Sequence, residues 1–283
     1  MPGEGKDFIL QKSSSGMNEK LVNTPQSNSR KLQSPIFRNK VTKTEAVLFD
    51  MDGVLRDVSK SYRMAIKKTV GRLSGTDATN EEISKYKSLG INNDWELSYQ
   101  ILLYERSTFA TYQEKVTIMP IVTAIFQKFY LGDSVNDKFT GYIENERFMA
   151  DILLLQKLKS KYKLGIVSTA PRNEIDYALG KAKATDLFHP VIYAMEDLDE
   201  AMEIPKASAI ENAMGHLKAK TACYLGDGLL DMKAAVAVGI VPIGILPAGI
   251  NDPIWESKLI AAGALNVFKD VNEAINAFLL DIE

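Results

Sequence analysis

The pattern of apolar and polar positions changes character three times along the chain. Residues Lys12 to Lys43 read KSSSGMNEKLVNTPQSNSRKLQSPIFRNKVTK, polar with few clustered hydrophobes. Such a stretch buries too little apolar surface to offset the entropy of ordering it, so residues 1–43 are expected to form a disordered tail. Ala46-Val47-Leu48-Phe49 then forms a short apolar run ending in Asp50, which predicts a strand buried on both faces. From Ser61 to about Tyr130 the spacing turns helical: Tyr62, Ala65, Ile66, Val70 and Leu73, then Trp95, Leu97, Ile101 and Leu102, then Val116, Met119, Ile125, Phe126 and Phe129. No strand pattern interrupts this region, so an all-helical insertion is expected. Beyond the loop Gly132 to Asn145, strands and helices alternate. A helix near Phe148–Tyr162 leads to strand Leu164–Val167, and a helix from Arg172 leads to strand Val191–Tyr193. A helix near Lys206–Gly215 leads to strand Thr221–Leu225, and a helix over Leu229–Val238 to strand Val241–Leu246. A helix near Pro253–Ala262, strand Leu265–Phe268 and a final helix complete the series.

Strands alternating with helices of this length imply right-handed βαβ units. The fold class expected is therefore α/β: a Rossmann-like parallel sheet with helices on both faces, plus the helical insertion after the first strand. The domain reading is a tail over 1–43, a core over 44–60 and 148–283, and the insertion over 61–147.

Composition narrows the function. Among 283 residues, 34 are basic and 36 acidic, a net charge of −2 that lacks the basic excess of a nucleic-acid binder. No apolar run reaches the ~18 residues of a membrane span, so no membrane partner is expected. One cysteine, Cys223, rules out an intrachain disulfide and suits a reducing compartment; a cytoplasmic location is the expectation, with organelle targeting by the Ser-rich tail left open. With only His189 and His216, histidine-built metal sites and most histidine catalysis lack raw material. Any chemistry must rest on carboxylates and lysine.

Binding sites in open α/β sheets lie beyond the carboxyl ends of the strands. Strand one runs into Asp50-Met51-Asp52-Gly53-Val54, and in extended chain residues i and i+2 face the same way. An acidic turn with a glycine bend is the plain alternative. Leu225-Gly226-Asp227-Gly228-Leu229-Leu230-Asp231 ends another strand, with Asp231 one helical turn beyond Asp227. Helix capping is the plain alternative there. Four carboxylates converging from Asp50, Asp52, Asp227 and Asp231 would form an oxygen-only set suited to a hard cation such as Mg²⁺. Ser168-Thr169 after the second strand could hold phosphate oxygens, and Lys206 opens a helix. Capping and a surface lysine are the ordinary alternatives.

Acid pair, hydroxyl, lysine and acid pair, in that order, resemble the haloacid dehalogenase superfamily of hydrolases. The matching residues are Phe49–Val54 (FDMDGV), Ile166–Thr169 (IVST), Lys206 and Leu225–Asp231 (LGDGLLD). The insertion is similar to the helical cap of the subfamily with phosphoglycolate phosphatase and β-phosphoglucomutase. Asp57, Ser59, Tyr62, Arg63 and the segment Gly90–Trp95 are similar to a little-characterised branch of it. The resemblance implies a Mg²⁺-dependent phosphatase acting on a small phosphorylated metabolite, with Asp50 as nucleophile and Asp52 as general acid and base. Mg²⁺ would be held by Asp50, the backbone carbonyl of Asp52 and Asp227, with Asp231 in support. Ser168, Thr169 and Lys206 would bind phosphate, and Arg63, Arg172, Asn92, Asn93, Asp94 and Trp95 are candidates for the substrate's remainder. An Asp at position 52 argues against carbon–halogen or carbon–phosphorus cleavage. Two alternatives stand beside this: a phosphomutase, disfavoured because Tyr62 replaces a histidine of β-phosphoglucomutase, and a non-catalytic binding protein of the same fold. A second copy of the chain is left open as a partner.

Overall fold

Four consecutive apolar residues, Ala46–Phe49, make β1, and none of them is exposed to solvent. A strand without a polar face must be covered on both sides, and β1 is. The computed structural model describes residues 39–280 apart from residues 41, 90, 92, 109–114, 134–138, 200 and 249–252. The expected tail therefore lies, through residue 38 and at residue 41, outside the described residues.

After β1 the chain forms β2 (Arg56–Asp57), then α1 (Tyr62–Ser74), α2 (Asn80–Ser88), α3 (Asp94–Gln100) continuing as a wider turn over Ile101–Glu105, and α4 (Lys115–Tyr130). It returns through β3 (Arg147–Phe148) to α5 (Ile152–Lys159), β4 (Lys163–Val167), α6 (Arg172–Ala182), α7 (Thr185–Phe188) and β5 (Ile192–Tyr193). Then come α8 (Pro205–Leu217), β6 (Ala222–Gly226), α9 (Leu229–Ala237), β7 (Val241–Ile245), α10 (Pro253–Ala261), β8 (Asn266–Phe268) and α11 (Val271–Leu280).

Six strands form one parallel sheet in the order β5-β4-β1-β6-β7-β8. This is the α/β class expected from the sequence, with the helices α1–α4 inserted between β2 and β3. Alternation along β1 divides the core. Val47 and Phe49 pack with Leu155 of α5, Ile175 of α6 and Phe278 of α11 on one face. Ala46 and Leu48 pack with Ile210 and Ala213 of α8 and Ala235 of α9 on the other. Fully burying such a side chain contributes about 1.5–3 kcal/mol, which is why the sheet centre is the most apolar part of the chain. The helices of the insertion have their own core, in which Ala65, Ile66, Leu97, Ile101, Val122 and Phe126 meet.

One expectation is corrected. The helix expected from Phe148 starts at Ile152, capped by Asp151, whose carboxylate accepts from the N–H groups of Leu153 and Leu154. The preceding residues are instead β3, paired antiparallel with β2 as Arg56↔Phe148 and Asp57↔Arg147. Both legs of the insertion thus leave the core side by side. The strand order also reverses about β1: β4 and β5 lie to one side of it, β6, β7 and β8 to the other. The crevice beyond β1 and β6 is the switch point where such sheets bind ligands.

Candidate active site

The Asp50 N–H donates to Leu225 O at 2.8 Å, so the ends of β1 and β6 remain in register one residue past the strand. This brings Asp50 beside Gly226-Asp227. The carboxylates of Asp50, Asp227 and Asp231 each offer an oxygen within 4.8 Å of the others. Glycine is required here twice. Gly226 has no room for a Cβ, which would lie 2.4 Å from that of Asp231, and Gly53 (φ +74°) would place one 1.9 Å from Asp227 Oδ2.

Lys206 supplies the counter-charge. Pro205 occupies the first turn of α8, where its missing N–H costs nothing, and Lys206 follows. Its Nζ donates to Asp50 Oδ2 at 2.8 Å and Asp231 Oδ1 at 2.6 Å, and it is buried. Burial works to lower its pKa, but Asp231 and Asp50 overcome this and hold it well above the usual lysine range. Burial pushes the Asp50 carboxyl up to about 7 against the pull of Lys206. Asp227 is pushed well above the usual carboxylate range by burial first, then by Asp231 and Asp50. One lysine does not relieve three crowded carboxylates. An oxygen-only donor set with surplus negative charge fits a hard divalent cation such as Mg²⁺.

Asp231 does two jobs at once. Its Oδ2 accepts from Gly228 N–H at 2.9 Å at the start of α9, and its Oδ1 faces Lys206. The same side chain thus bonds the start of its helix and belongs to the carboxylate cluster. Asp52 departs from the expected convergence. The strand stops at Phe49, and the N–H groups of Leu55 and Arg56 both return to Met51 O in a tight turn, so the i, i+2 rule for extended chain no longer holds. The fourfold carboxylate cluster therefore narrows to three, and Asp52 Oδ1 instead accepts from Arg56 Nε at 2.6 Å.

Ser168 is buried after β4, its Oγ accepting from Ala170 N–H at 3.2 Å, while Thr169 is exposed. Arg172 opens α6 but turns to Ile192 O and Asp197 Oδ2 (3.2 Å), beyond β5. Arg63 is half-buried on the first turn of α1. Asn93 caps α3 by accepting from Trp95 and Glu96 N–H, and Asp94 pairs with Lys87 at 2.8 Å. Trp95 packs against the core of the insertion, and Asn92 lies outside the described residues. Cys223 is fully buried in β6 beside Thr44 Oγ1 at 3.1 Å, a core thiol.

Three residues near the site were not singled out from the sequence. Tyr224 Oη donates to Val167 O at 2.7 Å and lies 3.2 Å from Lys206 Nζ, tying the lysine to β4. The signal was present, since a tyrosine in a fully buried strand needs a partner for its hydroxyl. Trp255 of α10 donates from Nε1 to Asp227 O at 3.1 Å. Arg56, fully buried, was not distinguishable from a surface arginine.

A parallel sheet with an acidic site at its switch point defines a class of ligand-binding α/β proteins. Residues 47–245 match the family model of the haloacid dehalogenase-like hydrolases, and the chain belongs to that family. A protein from Phytophthora nicotianae named imidazoleglycerol-phosphate dehydratase is 31% identical over 205 residues, covering 71% of this chain. The chain spans only 43% of the length of that relative. Among solved structures, a protein from Haemophilus somnus named for phosphoglycolate phosphatase superposes with a TM-score of 0.63 at 18% identity, over 85% of this chain and 98% of that one. A protein from Thermotoga maritima named for beta-phosphoglucomutase gives 0.58 at 20% identity, over 85% and 100%. These likenesses show the fold. Among the described residues, no helix is long and apolar enough to cross a membrane.

Proposed function

We propose that the chain is a Mg²⁺-dependent phosphatase that hydrolyses a small phosphomonoester through an aspartyl-phosphate on Asp50. The observation that supports this best is a buried carboxylate, Asp50, held between Lys206 and two further carboxylates at the carboxyl edge of the sheet. Asp50, Asp227 and the backbone carbonyl of Asp52 would hold the ion, which when bound supplies positive charge to the phosphoryl oxygens.

The chain's own groups supply the rest. A carboxylate oxygen of Asp50 attacks phosphorus as the ester bond breaks, and Asp52 gives its proton to the departing alkoxide oxygen. Asp52, now a carboxylate, takes a proton from the water that attacks the acyl phosphate, and inorganic phosphate leaves with Asp50 restored. Lys206 holds negative oxygens in a fixed place throughout and needs no rearrangement as charge develops. Ser168, at the end of β4, offers a hydroxyl and the exposed Thr169 a second one for phosphate.

The helices between β2 and β3 serve as the cap that closes over the crevice and excludes water from the first step. A mutase reading is less well supported, because Tyr62 is committed to Glu174 through its hydroxyl at 2.8 Å. The test is phosphate release, with and without Mg²⁺, from p-nitrophenyl phosphate, phosphoglycolate, a glucose phosphate and imidazoleglycerol phosphate. The last three follow the names of the relatives. Metal-dependent release that Asp50→Asn abolishes is expected. Equal rates for the two proteins would remove the nucleophile assignment, and bisphosphate-dependent isomerisation without phosphate release would favour a mutase.

A further inference from the structure

Arg56 is the bulkiest fully buried side chain of the described residues, and it sits between the site and the insertion. The tight turn after β1, closed by Gly53 N–H donating to Arg56 O at 2.9 Å, folds Arg56 back over Asp52. Two guanidinium nitrogens meet the same oxygen: Nε at 2.6 Å and Nη2 at 2.5 Å from Asp52 Oδ1. Oδ2 is the carboxylate oxygen that accepts no hydrogen bond from the arginine.

The other side of the guanidinium meets two more carboxylates. Nη1 lies 3.1 Å from Glu146 Oε2, and Nη2 lies 3.4 Å from Glu174 Oε2. Glu146 immediately precedes β3, the return leg of the insertion, and Glu174 is in the first turn of α6. Around them, Ser61 Oγ donates to Glu146 at 2.6 Å, Tyr62 of α1 to Glu174 at 2.8 Å, and the Tyr130 hydroxyl of α4 lies 3.1 and 3.0 Å from the two. A buried guanidinium is costly unless paired; Asp52 is its nearest carboxylate, with Glu146 and Glu174 farther off. Its fork on a single oxygen of a partly exposed carboxylate is the feature that calls for another role.

We propose that Arg56 is a positioning residue for proton transfer, fixing the Asp52 carboxylate by one oxygen so that the other faces the reacting phosphate. Glu146 anchors the guanidinium to the return leg of the insertion and Glu174 anchors it to α6 of the core, so the aim of Asp52 is linked to where the helical insertion stands. This rests on the phosphatase reading above.

Steady-state turnover of p-nitrophenyl phosphate and an alkyl phosphate is compared with a rapid-mixing measurement of the nitrophenolate burst. Nitrophenolate leaves without a proton from Asp52, whereas alkoxide departure and water activation both need it. Arg56→Lys keeps the charge and loses the fork. It is expected to lower alkyl phosphate turnover about ten- to hundredfold while a burst near one nitrophenolate per folded chain persists. Added to Asp52→Asn, Arg56→Lys should change turnover less than twofold, because it acts through that carboxylate. Should Arg56→Lys not fold, Glu174→Gln, which loosens the anchor but leaves Arg56 paired, should lower turnover about two- to fivefold with an unchanged burst. Burst and turnover falling together, full additivity with Asp52→Asn, or unchanged turnover in the folded variants would overturn the proposal. A wild-type chain that releases no phosphate from any ester would instead overturn the phosphatase reading.

Discussion

Replacing Lys206 by methionine tests the electrostatics of the site most directly. The change keeps an unbranched side chain of similar length and removes the single cation that contacts Asp50 at 2.8 Å and Asp231 at 2.6 Å. Three carboxylates within 4.8 Å of one another are then left with no cation in contact. Breaking a buried pair by removing one partner costs about 3–5 kcal/mol, which in a chain of this size lowers Tm by about 10 °C. The cost must depend on pH. Asp50 already titrates near 7 because of burial, and without Lys206 its pKa rises further. A carboxyl whose folded value is raised contributes stability at low pH that is lost as pH climbs through that value. The loss should therefore be full at pH 8 and shrink to less than half near pH 5, where Asp50 and Asp227, both raised by burial, are protonated. Urea denaturation in metal-free buffer at both pH values measures this. Saturating Mg²⁺ should restore part of the difference, about 2.7 kcal/mol at a hundred times its Kd. A loss under about 1 kcal/mol at pH 8, or one equal at both pH values, would refute the reasoning.

Three further outcomes are expected. Gly53→Ala must hold a left-handed backbone at about 1–2 kcal/mol and push its Cβ into Asp227 Oδ2, so Mg²⁺-dependent phosphate release should fall at least tenfold while the circular dichroism spectrum is kept. Asp227→Asn should weaken Mg²⁺ binding at least tenfold in titration calorimetry, with the fold retained because Trp255 bonds only the backbone carbonyl. Burial lifts Glu146 to about 7, so its contribution to stability is present below its ordinary value of 4.5 and lost as pH rises through 7. Glu146→Gln should flatten the stability curve between about pH 4.5 and 7.5, by at most about 3 kcal/mol, in urea titrations across that range.

The elements that lie wholly within the sheet were legible because burial on both faces leaves an unbroken apolar run, as in Ala46–Phe49 and Ala222–Gly226. The order of Asp50, Ser168, Lys206 and Asp227 along the chain was legible too, since Asp50, Ser168 and Asp227 each follow a strand end and Lys206 opens a helix. The pair β2 and β3 was not. Arg56-Asp57 and Arg147-Phe148 are two residues each, three of the four charged, and nothing local distinguishes them from loop. The direction of the Asp52 side chain was not legible, because the strand ends at Phe49 and a tight turn follows. The Arg56 cluster is hidden for a different reason. Arg56, Glu146 and Glu174 each read as surface residues, and only a fold that closes 118 residues between Arg56 and Glu174 reveals that they share one buried space.

The middle position of β1 in the sheet has a consequence for synthesis. Asp50 leaves the ribosome 156 residues ahead of Lys206, the lysine that contacts it, and β6, its neighbour strand, comes later still. Over that interval the nascent chain carries Asp50 without Lys206 and Asp227, the groups that surround it in the fold. Chains truncated before Lys206 should be inert toward phosphate esters and unable to retain a divalent ion, however well their helices form.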